Sequence, residues 1–291
     1  MFSWKLKKIT AACLGLLCAT LASYAKEAPV SLTTQDGWRL VAVYQAPQAG
    51  NKTVVLLHDL NKNKEVFTSL KASLTKNGFG YLALDLRGHG QSTGGGQARS
   101  FAKVGVDNQF NKMTRDVDAA IDFLKKKGIT ENKIALLGVG LGANVAAKST
   151  TFWPDVSALG LISPTANVRD VLSIPPMRLY KGSVLIAAAA ADKKMFLEAS
   201  VIRNVAFVTH EEDSRQITFL TAYDLKSHEM LDKYLIPSVI QWLHTSQRPE
   251  VAATSPTYQQ PLNTVPEPDT VELPVAPSKT EESLTPSILG E

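Results

Sequence analysis

The sequence predicts an α/β protein: a mostly parallel sheet with helices on both faces and an antiparallel hairpin in front of it. Three observations carry this. From residue 53 to about 245, short apolar runs alternate with stretches of helical spacing, as strands covered on both faces and joined by crossover helices require. Two segments of alternating polarity precede them, at 30–34 and 38–45, with Asp36-Gly37 between as a hairpin turn. Glycine, Asp, His and Ser residues gather just past the apolar runs, where open parallel sheets hold their ligands.

Taken in order, Thr53-Val54-Val55-Leu56-Leu57 is a strand apolar on both faces. Residues 64–77 carry Val66, Leu70 and Leu74 at helical spacing, and Asn77-Gly78 ends that helix. A strand at 81–84 leads into a long Gly-rich loop, and residues 112–127 form a helix with Val117, Ala120, Ile121 and Leu124 on one face. Residues 134–137 are a strand, 141–150 a helix and 158–162 a strand. A strand at 184–188 and a helix at 194–202 come next, then short strands at 205–209 and 216–221. An amphipathic helix over 229–245 closes the series. No internal repeat is present.

Both ends of the chain read differently from this domain, which spans 26–247. Lys5, Lys7 and Lys8 precede a short apolar run at 9–21, and Ser23-Tyr24-Ala25 places small residues at −3 and −1 of a cut before Lys26. Residues 1–25 are therefore expected to be an export signal, too short in its apolar part to span a membrane. The expected location is the periplasm or exterior of a bacterial cell, with membrane association only through an uncleaved signal. Both cysteines, Cys13 and Cys18, fall inside that segment. A chain cut before Lys26 has no disulfide, no thiol catalysis and no cysteine-ligated metal. Residues 248–291 contain eight prolines among Ser, Thr, Glu and Gln. That tail is expected to be disordered and partly extended.

The net charge of +4 is the sum of a basic start, an acidic tail and a domain near +6. The domain's excess is scattered, apart from Lys125-Lys126-Lys127 and Lys193-Lys194, and no aromatic residues are interleaved with it. Nucleic acid is not an expected partner.

The residues just past each strand are more informative. After Leu57 comes His58-Asp59-Leu60; after Leu84, Asp85-Leu86-Arg87-Gly88-His89-Gly90-Gln91-Ser92; after Leu137, Gly138-Val139-Gly140-Leu141-Gly142. Asp192 comes after the strand at 184–188, and Lys226-Ser227-His228-Glu229 precedes the last helix. With "VVLLHDLNKNKEVFTSLKASLTKNGFGYLALDLRGHGQST", these pieces resemble an α/β-hydrolase of the esterase and lysophospholipase-like group, over about residues 38–245. The "LDLRGHG" piece is specific. The piece after the first parallel strand is altered, with Asp59 where the family has glycine.

The resemblance implies an α/β-hydrolase fold and a serine nucleophile at the centre of G-x-S-x-G, on a strained strand-to-helix turn. Here Gly138 and Gly142 match the flanking glycines, and Gly140 holds the nucleophile position. By the same resemblance Asp192 is the acid, His228 the base, and the backbone N–H groups of Leu141 and Leu60 face the developing oxyanion. Ser149, Thr150, Thr151, Ser163, Ser92 and Thr93 are all misplaced to substitute for the serine. Fewer residues separate the strands ending at 162 and starting at 184 than a lid needs, leaving a small cap at 168–180 at most.

The turn also satisfies G-x-G-x-x-A, but no acid closes the following strand as a dinucleotide site requires. Gly94-Gly95-Gly96 lacks the Lys-Ser/Thr of a phosphate loop, and the histidines have no metal-ligand spacing. No cofactor and no metal are expected. The expected function is that of an exported pseudo-hydrolase binding a small acyl- or ester-like ligand or a protein partner. Two alternatives stay open: an enzyme using the Asp192–His228 pair without a serine, and an interaction protein acting through its tail.

Overall fold

The structure is a computed structural model that describes residues 27–210 and 216–246. The expected export segment at 1–25, the acidic run at 211–213 and the tail at 248–291 lie outside the described residues. An eight-stranded sheet runs in the order β1-β2-β4-β3-β5-β6-β9-β10. Its first two strands, β1 (Ala28–Thr33) and β2 (Arg39–Gln45), form the antiparallel hairpin expected around Asp36-Gly37. Strand β2 then pairs antiparallel with β4 (Gly80–Leu84). From there β3 (Thr53–Leu57), β5 (Ile134–Val139), β6 (Ala158–Ile162), β9 (Ser183–Ala189) and β10 (Ile217–Ala222) are all parallel to their neighbours.

Every residue of β3, β4, β5, β6 and β9 is buried, and alternate side chains feed two separate cores. On one face Val55, Leu57, Leu136, Leu159 and Ile186 pack under α2 (Thr114–Lys126), α3 (Leu141–Ser149) and α5 (Lys193–Thr209). On the other, Val54, Leu56, Ala135, Leu137 and Leu185 pack under α1 (Thr68–Lys76) and α7 (Ile236–Thr245). This is why these runs read as continuous hydrophobic sequence rather than alternating. Where the cap was expected at 168–180, the chain makes a two-stranded ribbon, β7 (Asn167–Val168) with β8 (Val171–Leu172), and the short helix α4 (Ile174–Met177).

One expectation needs correction. Residues 205–209 are not a strand: α5 continues through Thr209, burying Ala199, Ile202 and Ala206 at helical spacing. A short β-branched and aromatic run has no periodicity of its own to separate the two states, and the parallel pairing of β9 with β10 demands a crossover helix there. The last helix spans the expected 229–245, beginning two residues earlier, but changes type along its length. It starts as α6 (Ser227–Met230), widens into a π segment over Leu231–Leu235, and resumes as α7 with Pro237 in its first turn. Proline has no N–H to donate into the preceding turn, which breaks the regular ladder there.

The "LDLRGHG" piece is a buried polar scaffold. Arg87 is fully buried; its Nε donates to Asp116 at 2.7 Å and its Nη1 to Asp36 at 2.8 Å. It thereby ties the loop after β4 to α2 and to the hairpin turn. Asp85, also fully buried, accepts from the Lys64 N–H at 2.8 Å, from Lys64 Nζ at 2.9 Å and from the Gln91 N–H at 2.9 Å. Ser92 Oγ accepts the Val41 N–H at 2.9 Å, pinning the end of the loop to β2.

Candidate functional site

The register of the sheet assembles the site. Strands β3 and β5 are adjacent, with Leu57 opposite Gly138. Two residues further along each strand direction, Asp59 and Gly140 face one another past the carboxyl end of the sheet. Gly140 has φ 53° and ψ −117°, a strained combination that glycine alone adopts freely. Its N–H donates to Ile162 O at 2.9 Å, and α3 begins at the next residue. The flanking glycines are demanded by close approach: a Cβ on Gly142 would strike Leu57 O, and one on Gly138 would strike Gly142 O.

The space beside Gly140 is filled from the neighbouring strand. A Cβ on Gly140 would overlap the Oδ1, Cγ and Oδ2 atoms of Asp59. Asp59 Oδ1 accepts two backbone N–H groups, from Leu60 at 2.7 Å and Leu141 at 2.8 Å. These are the two amides expected to face an oxyanion. They converge on one oxygen, and that oxygen belongs to this chain. Asp59 Oδ2 accepts the Ser227 hydroxyl at 3.1 Å, while the Ser227 N–H donates to the fully buried Ser163 Oγ at 2.9 Å. Both serines hold positive φ, 52° at Ser163 and 49° at Ser227, so two loops are strained to meet there.

His58 orients the Asp59 backbone. Its Nδ1–H donates to Asp59 O at 2.8 Å, and its Nε2 accepts the Leu86 N–H at 3.0 Å. A ring with one nitrogen donating and the other accepting is neutral. Burial pushes its pKa down to about 4, with His89 and Lys64 acting in the same direction and the Asp59 carbonyl and Asp85 opposing.

Asp192 and His228 are not brought together as a pair. Asp192 Oδ2 accepts Lys226 Nζ at 2.6 Å, and Oδ1 caps α5 through the Met195 N–H at 3.1 Å. The hydrogen bond from Lys226 holds the Asp192 carboxyl below the usual carboxylate range, with the Met195 N–H adding to it. His228 lies in α6, and its buried Nδ1 has no hydrogen-bond partner among the described residues. Asp232 lies one helical turn on. Burial raises the Asp232 carboxyl above its usual range, and His228 pulls the other way. The expectation of an Asp192–His228 hydrogen-bonded pair is therefore corrected. Lys226 is two residues from His228, and its long charged side chain takes the carboxylate first.

The arrangement can hold a carboxylate against two converging amides and a hydroxyl. It offers no hydroxyl or thiol on the strained turn. Asp59, Ser163 and Ser227 are the site residues that sequence reasoning did not assign. Asp59 did carry a signal, as a departure from the resembled pattern directly after a strand.

A family model described as Serine aminopeptidase, S33, matches residues 48–233. The chain belongs to this family. The S33 match covers β3 to β10, the turn at Gly140 and the segment holding His228, and leaves out the β1–β2 hairpin. A curated relative, dipeptidyl aminopeptidase BIII of Pseudoxanthomonas mexicana, is 26% identical over 164 residues, 51% of this chain and 23% of that protein. The chain thus spans less than a quarter of that relative's length. Among solved structures, the Pyrococcus furiosus esterase Pf2001 superposes with a TM-score of 0.61 at 17% identity, over 75% of this chain and 92% of that one. The Exiguobacterium antarcticum esterase EaEST gives 0.59 at 15% identity, over 75% and 100%. A dienelactone hydrolase from Anabaena variabilis gives 0.59 at 14% identity, over 77% and 100%. These likenesses establish the α/β-hydrolase fold of this S33 family member.

Proposed function

We propose that this chain is a pseudo-hydrolase: an α/β-hydrolase scaffold that has lost serine-dependent acyl transfer and works by binding. The observation that carries this reading is Gly140. In this fold the residue in the strained strand-to-helix conformation presents the nucleophile, and here that residue, at φ 53°, is glycine. Losing the serine of a catalytic triad typically removes about six orders of magnitude in turnover. The loss of the Asp192–His228 contact supports the same reading, because an imidazole without its carboxylate is not held as a general base. It also weighs against an enzyme that would use that pair without a serine.

The bound species is a small acyl- or ester-like molecule or a protein partner, met outside the cytoplasm if residues 1–25 act as an export signal. Recombinant chain is expected to show no turnover of short-chain acyl esters at enzymatic rates and no labelling by a fluorophosphonate. His228→Ala should leave that background unchanged. Turnover at ordinary enzyme rates that His228→Ala abolishes would overturn the proposal.

A further inference from the structure

We infer that Asp59 is the specificity-determining residue of this site: a resident carboxylate that keeps an intact anion-binding pair of amides closed to carbonyl oxygens and to outside anions. The inference takes the pseudo-hydrolase reading as its starting point and names what the site admits. It stands on three contacts. The Leu60 and Leu141 N–H groups come from different strand ends, yet both meet Asp59 Oδ1, at 2.7 and 2.8 Å. Two donors converging on one oxygen is the geometry that stabilises a developing oxyanion or binds a carboxylate. The Ser227 hydroxyl holds the other oxygen at 3.1 Å, so the carboxylate is fixed at both ends. Asp59 is only half-buried, which leaves the site facing the solvent at the end of the sheet.

An outside carboxylate or ester carbonyl competes poorly for those amides. Asp59 is covalently next to Leu60, so its effective concentration at the amides is set by the chain and exceeds that of a dilute ligand. The same contacts make Gly140 and Asp59 a matched pair. A side chain at 140 must place its Cβ where the Asp59 carboxyl group lies. Returning a serine to the elbow therefore expels Asp59 from two charge-assisted hydrogen bonds and from Ser227. Gly140 cannot be changed alone without disturbing Asp59, whereas removal of the Asp59 side chain frees both the amides and the space.

The test uses the full chain and sodium butyrate as the carboxylate probe, read by the backbone amide resonances of Leu60 and Leu141. In wild-type protein butyrate should leave both resonances in place. In Asp59→Gly both should shift together and saturate; Asp59→Ala serves the same purpose if the glycine variant does not fold. Asp59→Asn keeps the side chain in the gap and should behave as wild type. A second readout needs no catalysis. Gly140→Ser should lower the melting temperature of the wild-type chain by at least about 3 °C more than it lowers that of Asp59→Gly. Butyrate shifting the amides equally in wild type and Asp59→Gly overturns the inference, as does butyrate shifting neither in folded Asp59→Gly. Equal melting losses in the two backgrounds overturn the matched pair. Ester turnover by wild-type chain instead counts against the pseudo-hydrolase reading, so the two failures are distinct.

Discussion

The loop after β4 and the loops around Gly140 are both built from charged and polar groups at strand ends, but they are finished differently. In the first, Arg87, Asp116, Asp36, Asp85 and Lys64 form a closed set in which each buried charge meets an opposite one at short distance. In the second, the acid and base expected to meet do not. Asp192 is taken by Lys226, His228 Nδ1 has no partner among the described residues, and a carboxylate from the end of β3 occupies the amides beside the elbow. The first region serves the fold and cannot lose a member cheaply. The second holds Gly140 at a strained positive φ while Asp192 and His228 stay apart.

That contrast can be broken first at Arg87. Arg87→Ala leaves Asp116 fully buried without its cation, so stability should fall by about 3–5 kcal/mol, read as a lower urea midpoint with an unchanged slope. A loss no larger than that of an ordinary surface substitution would show that the two regions do not differ in this way.

A slightly smaller effect joins the two regions through His58, which packs against His89 and touches Asp59 and Leu86. Its pKa falls from the ordinary 6.5 to about 4, so the unfolded chain binds this proton first as pH drops. The stabilisation is complete above about pH 6.5 and declines as pH falls towards 4. Between pH 7 and 4.5 the wild-type chain should lose about 2–3 kcal/mol more than His58→Gln. His89, also pushed below its ordinary value by burial, stays in both proteins. Parallel losses in urea titrations at the two pH values would remove His58 from the account.

The smallest effect belongs to Asp192 and Lys226. Lys226 is half-exposed, so Lys226→Ala should change stability by less than about 1 kcal/mol. Asp192→Ala also removes the cap on α5 and should cost about 1 kcal/mol. A loss of several kcal/mol in thermal melts of either variant would mean this pair belongs with the Arg87 set.

Much of the fold could be read from the residues. The runs that became β3, β4, β5, β6 and β9 are apolar throughout because both faces of each are covered, and a strand of that kind leaves an unambiguous trace. Residues 205–209 left none, because a short apolar run reads equally well as the end of a helix. In the site, the position of Gly140 on its turn was legible from the glycines around it. The destination of Asp192 was not, because Lys226 and His228 lie two residues apart and the sequence does not rank them as partners.

Alone, the sequence determined the class of fold, the order of its elements and the absence of a nucleophilic side chain at residue 140, since these come from local pattern and residue identity. Only the tertiary structure decided what stands in that place. Asp59 and Gly140 are remote in sequence and become neighbours through the register of β3 against β5. A contact made across two strands is set by hydrogen bonds between them, which neither segment carries by itself.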